Sequence, residues 1–195
     1  IRIWDYTTQF TNFLAPFPNL HTLQQNIQFF KNNNAKWVFE QHSHQPSELF
    51  ELRSYLLAKL LWNPDADYDA LLKDFCDGYY GAGGEFVKKY VDDIHIAIQE
   101  DPDFFLFLYG DPSQAFDSFL APDKLEQYKT YFDQAEKAVQ EDQELLKRVR
   151  RARLGVDYAI LEASRKNLNQ DLNLVIVNEQ GEKEMNPRVN ELLAN

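Results

Sequence analysis

Apolar and polar positions alternate along Ile1-Arg2-Ile3-Trp4-Asp5-Tyr6, and they alternate again along Ala35-Lys36-Trp37-Val38-Phe39-Glu40. A period of two over five or six residues predicts a strand in each place. Between them, residues 7–19 read as a loop punctuated by Pro16 and Pro18, after which Leu20, Leu23, Ile27 and Phe30 recur at helical spacing until the run Asn32-Asn33-Asn34. Strand, helix, strand is a βαβ unit, whose two strands run parallel. Two parallel strands make a poor sheet by themselves. Nothing precedes the first strand to take its backbone hydrogen bonds, so the chain is expected to be the C-terminal piece of a longer protein.

From there the period lengthens. The loop Gln41-His42-Ser43-His44-Gln45-Pro46 leads to Ser47, expected as an N-cap with Glu48 in the first helical turn. Leu49, Leu52, Leu56, Leu57, Leu60 and Leu61 form a wide apolar stripe, which predicts a deeply packed helix ended by Asn63-Pro64. Asp67 is the expected cap of a shorter helix carrying Leu71, Leu72 and Phe75. Four of the seven glycines fall in Gly78-Tyr79-Tyr80-Gly81-Ala82-Gly83-Gly84, a turn where backbones must approach closely before a helix over about 85–99. Asp111-Pro112 is expected to start a helix, Pro122 to open another through Val139, and residues 143–167 to form a third. In that third helix Leu146, Val149, Leu154, Tyr158 and Leu161 occupy one side, and Lys147, Arg148, Arg150, Arg151 and Arg153 mostly the other. Residues 172–177 read as a late strand, and 187–194 as a terminal helical turn or two. The expected fold class is α/β passing to mainly α, with a small helical bundle after the strands.

Composition narrows the function. The chain has 31 acidic and 20 basic residues, a net charge of −11, and no basic stripe, which argues against nucleic acid as a partner. No run reaches the roughly 18 apolar residues of a membrane span. A single cysteine, Cys76, sits among Leu71, Leu72 and Phe75, as a buried inert thiol would. Gly81–Gly83 and Gly84 lack the lysine of a phosphate loop, so no nucleotide cofactor is expected.

Candidate chemistry lies at the ends of the two strands. In a (β/α)₈ barrel the carboxyl ends of strands line the active site. Here those ends are Trp4-Asp5-Tyr6 and Glu40-Gln41-His42. Rings stack on sugar faces, and carboxylates protonate, attack or hydrogen-bond hydroxyls, so this combination suits a glycoside site. The competing view is that Asp5 and Glu40 are ordinary loop-edge carboxylates. Arg53, on the otherwise apolar helix after the second strand, either reaches Asp5 or Glu40 or lies in solvent. His42 and His44 have a spacing seen in metal sites but no third ligand at a motif distance, so no metal is expected.

Trp4-Asp5-Tyr6, Pro18-Asn19-Leu20, Asn26-Ile27, Val38-Phe39-Glu40-Gln41, the block LRSYLLAKLLWNPD from Leu52, and Gly78-Tyr79-Tyr80-Gly81 together resemble one bacterial domain family of unknown function. That family occurs in secreted carbohydrate-active proteins and is related to glycoside-hydrolase barrels of the hexosaminidase and α-glucuronidase kind. The likeness covers about residues 1–95. It implies that residues 1–66 supply the last two strands of a (β/α)₈ TIM barrel, with 67–195 a mainly helical C-terminal region, in a secreted, periplasmic or cell-surface protein. The acid/base pair would lie upstream, leaving this piece inactive alone. Trp4, Asp5, Tyr6, Glu40, Gln41, His42 and Arg53 would contact a carbohydrate substrate, and the remainder of the parent chain would be the partner. A non-catalytic helical module for protein contacts is the alternative expectation.

Overall fold

Both alternating segments form strands, and they pair in parallel. The computed structural model describes residues 1–42, 47–165, 175–178 and 180–187. Its elements are β1 (Arg2–Tyr6), α1 (Leu20–Asn32), β2 (Trp37–Gln41), α2 (Phe50–Trp62), α3 (Tyr68–Tyr80), α4 (Gly84–Gln99), α5 (Pro122–Ala138), α6 (Gln143–Arg165), β3 (Val175–Val177) and β4 (Lys183–Met185). Single 3₁₀ turns occupy Gly81–Gly83 and Pro112–Ala115. The protein is therefore mainly α. None of these helices is long and apolar enough to cross a membrane.

β1 and β2 align Arg2 with Trp37 and, in step, Tyr6 with Gln41. Bonds from Lys36 N to the Ile1 carbonyl (2.9 Å) and from Thr7 N to the Gln41 carbonyl (3.0 Å) extend the ladder at both ends. Alternation then divides the side chains. Ile3, Asp5, Val38 and Glu40 share a half-buried face, whereas Trp4, Tyr6, Trp37 and Phe39 share an exposed one. Val38 lines a hollow with Ile27 of α1 and Leu61 of α2, so the half-buried face is the one the helices cover.

The leucine stripe of α2 leaves Leu61 exposed but otherwise packs as its spacing predicts: Leu52, Leu56, Leu57 and Leu60 are buried. Burial of each such side chain contributes about 1.5–3 kcal/mol. They belong to one continuous core running from Leu20 of α1 to Ala163 of α6. The glycine segment allows α3 and α4 to meet. A Cβ on Gly84 would lie 2.2 Å from the Cys76 carbonyl oxygen, so only glycine lets the backbones come this close.

The start of α2 departs from expectation. Leu49, not Ser47, holds the N-cap position, in a left-handed conformation (φ +46°). Its cost, about 1–2 kcal/mol, is offset by burial of the Leu49 side chain, while Ser47 and Glu48 turn into the interior. Glu48 N bonds the Phe13 carbonyl (2.8 Å), fastening this corner to the 7–19 loop. Asp67 caps α3 as expected, accepting from Ala70 N at 3.0 Å. Asp111 is also a cap, its own N–H donating in return to Gln114 Oε1, but the helix it starts is only the turn Pro112–Ala115.

α6 buries Val149 of the expected side and packs Leu146 and Leu161 against the core, but the centre of its buried face is rotated away from that side. Ala152, Val156, Ala159, Ile160 and Ala163 are inside, and so are Arg153 and Asp157. Arg153, unlike the other basic residues of α6, is drawn inside by bonds to Asp157 (3.0 Å), Asp133 (2.7 Å) and Glu136 (2.9 Å), which tie α6 to α5. β3 pairs antiparallel with β4, joined by a turn in which Gly181 takes φ +81°. Residues 172–174, the last two positions of the third expected helix (166–167) and the terminal turns beyond Pro187 lie outside the described residues.

Candidate functional site

The carboxyl ends of β1 and β2 sit side by side, so the two clusters singled out in the sequence are neighbours. Strand alternation then separates them by chemistry. On the exposed face, the Trp4 indole Nε1 donates to Gln41 Oε1 at 2.8 Å. The Trp4 ring meets Phe39 edge-on at 5.0 Å, and Phe39 stacks on Trp37 at 6.0 Å. Trp4 is 61% exposed, Trp37 50%, Tyr6 44% and Phe39 41%. Four large rings on one uncovered sheet face are costly in water unless something covers them.

Asp5 and Glu40 lie opposite each other in the register, on the helix side. Asp5 Oδ1 accepts from Tyr6 N at 2.8 Å. Both Glu40 oxygens are shielded from solvent, with no hydrogen-bond partner among the described residues. Burial, and secondarily the Asp5 charge, push the Glu40 carboxyl up to about 7. A carboxyl poised there can hold a proton at neutral pH. The expectation that carboxylates and rings converge on one sugar is thus corrected: neighbours in a strand point to opposite faces.

His42 follows β2 at the sheet's edge, its Nε2 3.3 Å from Ser54 Oγ and its ring 5.1 Å from Phe50. His44 lies outside the described residues. Among the described residues no three metal-binding side chains cluster.

Arg53 is the second correction. It neither lies in solvent nor meets Asp5 or Glu40; it is 2% exposed and faces the 7–19 loop. One guanidinium nitrogen donates to the Thr7 carbonyl (2.8 Å) and to Asn19 Oδ1, the other to the Phe17 carbonyl (3.3 Å) and Glu48 Oε2 (3.2 Å). Tyr90 OH donates to the remaining Glu48 oxygen at 3.3 Å. Burial outweighs the Arg53 charge and raises the Glu48 carboxyl to about 6. Arg53 positions the loop that leaves β1.

Two features escaped sequence reasoning. His21 and His95 are far apart in the chain, yet their rings lie 5.0 Å apart. His95 is locked: its Nε2 accepts from Leu20 N (2.9 Å), its Nδ1 donates to the Val91 carbonyl (2.6 Å), and burial lowers its pKa to about 3. Cys76 is fully buried, as expected, and its thiol is pushed up to about 12 by desolvation. The second such feature is a row of exposed rings on residues 105–109, which touches Phe10 and, through it, Tyr6.

Residues 1–92 match the family described as a domain of unknown function (DUF4838). No curated protein and no solved structure matches the chain.

Proposed function

We propose that this chain is the C-terminal part of a glycoside-hydrolase-like protein that binds or processes complex glycans, and that it holds substrate rather than supplying the acid/base pair. The observation that carries the proposal is the uncovered face of Trp4, Tyr6 and Phe39, with the Gln41 amide among them, at the carboxyl ends of adjacent parallel strands. In a (β/α)₈ barrel the helices cover the outer face of each strand, the inner face fills the barrel core, and the residues at the carboxyl ends line the site. The β1–α1–β2–α2 order, the helix-covered face of Ile3 and Val38, and a sheet with one neighbour per strand all suit two strands of such a barrel. Aromatic rings contribute stacking area against sugar faces, and Gln41 offers a donor and an acceptor to hydroxyls. Asp5 and Glu40 lie behind this face and shape the strand ends, and Arg53 fixes the loop above it.

The test is calorimetric titration of the full-length protein with neutral oligosaccharides of cellulose, xylan and chitin, alongside Trp4→Ala and Tyr6→Ala. Both side chains are exposed, so both variants should fold. At least a tenfold loss of affinity, about 1.4 kcal/mol, is expected from each. Wild-type affinity in both variants would overturn the assignment and favour a helical module for protein contacts.

A further inference from the structure

Two carboxyls face each other between the carboxyl ends of β1 and β2. Asp5 and Glu40 are register partners on the helix-covered side of the sheet. Asp5 has a donor of its own, Tyr6 N at 2.8 Å. Both Glu40 oxygens are shielded from solvent and have no hydrogen-bond partner among the described residues. An ionised carboxylate at Glu40 is therefore a desolvated charge without a donor, set against a like charge on the next strand.

The titratable groups of the covering elements are engaged elsewhere. On α1, Lys31 pairs with Asp65 and His21 lies against His95. On α2, Arg53 pairs with Glu48, Glu51 pairs with Arg151, and Lys59 sits over the Tyr55 ring. The 7–19 loop carries no titratable side chain. His42, just beyond β2, has its Nε2 3.3 Å from Ser54 Oγ. Among the described residues only the Asp5 charge acts on Glu40, and burial with that charge pushes its carboxyl up to about 7. The proton of Glu40 therefore leaves in the neutral range.

The residue after Glu40 makes the last contacts of the strand pair. The Gln41 carbonyl accepts from Thr7 N at 3.0 Å, and Gln41 Oε1 accepts from Trp4 Nε1 at 2.8 Å. Neither strand has a second neighbour among the described residues to hold these ends in place. We infer that Asp5 and Glu40 form a proton-operated latch between β1 and β2. While Glu40 is protonated the strand ends stay together. When it ionises, repulsion from Asp5 and hydration of the new charge part the ends at Gln41 and release the Trp4 indole. One proton leaves for each opening. Nothing in this latch depends on a ligand at the sheet face.

The experiment is a titration of the isotope-labelled protein from pH 5 to pH 9, without ligand, following the tryptophan indole N–H resonances and the Glu40 side-chain carboxyl carbon. The expected result is a Trp4 resonance that moves with a midpoint near 7, in step with the Glu40 carboxyl, while the exposed Trp62 stays in place. Glu40→Gln, an uncharged isostere of the protonated side chain, should hold Trp4 at its low-pH position throughout. Asp5→Asn should shift the midpoint downward, since it removes the secondary cause. His42→Gln/His44→Gln removes the imidazoles that titrate in the same range and should leave the transition intact. A Glu40 carboxyl that titrates near 4.5, or a Trp4 resonance that stays still as it titrates, overturns the latch in the wild-type protein alone. A transition that survives Glu40→Gln and vanishes with the histidines assigns it to imidazole and overturns the latch as well. An unchanged midpoint in Asp5→Asn overturns the pairing.

Discussion

Replacing Arg53 by Met keeps an unbranched side chain of similar length and removes only the guanidinium. It leaves the Thr7 and Phe17 carbonyls and Asn19 Oδ1 without their donor, and Glu48 without its counter-charge. Breaking a buried pair from one side costs about 3–5 kcal/mol, a large share of the roughly 5–15 kcal/mol that holds a domain folded. At about 2–4 °C per kcal/mol for a chain of this size, Tm should fall by roughly 6–20 °C.

The pH dependence separates charge from packing. The Glu48 carboxyl already sits near 6, above its usual 4.5, with the Arg53 charge holding it down. Without Arg53 it rises further. A carboxyl raised on folding binds its proton more tightly in the folded state, so the folded form is favoured at low pH. The penalty of Arg53→Met is therefore smallest near pH 4.5, grows as pH climbs through the folded-state pKa, and is full above it. Urea denaturation of both proteins at pH 5 and pH 8 measures this, with Glu48→Gln added to the variant as a control expected to recover stability only at pH 8. A cost below about 1 kcal/mol, the scale of an exposed pair, or an equal cost at both pH values, would refute the assignment of Glu48 as a buried charge dependent on Arg53.

Two further outcomes can be checked in the same way. Gly84→Ala, which in an open helix would stabilise by about 1 kcal/mol, should instead destabilise by about 1–3 kcal/mol, because its Cβ meets the Cys76 carbonyl at 2.2 Å; a rise in the urea midpoint would count against the packing of α3 on α4. Glu40→Gln should raise Tm at pH 8 and leave it unchanged at pH 5, because ionising a shielded carboxyl beside Asp5 disfavours the fold only as pH rises from 4.5 through about 7.

The sequence disclosed elements better than it disclosed contacts. Period-two alternation marked β1 and β2, and the leucine stripe marked α2, because each has a single buried face against a polar remainder. The same alternation already separated Trp4 and Tyr6 from Asp5, so their opposite faces were legible; adjacency in the chain was mistaken for adjacency in space. Residues 104–109 hid their alternation because both phases are apolar: only exposure distinguishes Phe105 from Leu106. Arg53 stood out on its apolar helix, but its pairing with Glu48 gave no signal, since the chain turns at Leu49 and their spacing fits no helical pair. On α6 the close approach of Gly155 to Glu48 and the run of buried alanines select the inner face, so Arg153 and Asp157 go inside and Leu154 lies at the margin. Such selection by neighbours far along the chain leaves no local pattern to read.

The most direct measurement of the central claim follows the three tryptophan indole N–H resonances as soluble mixed-linkage β-glucan is titrated into the ¹⁵N-labelled protein. Trp4 and Trp37 lie on the uncovered sheet face, whereas Trp62 ends α2 at 91% exposure and serves as an internal control. The glycan proposal predicts that the Trp4 resonance shifts with saturation while that of Trp62 stays in place. A Trp4 resonance that does not move, or three that move alike, would contradict it.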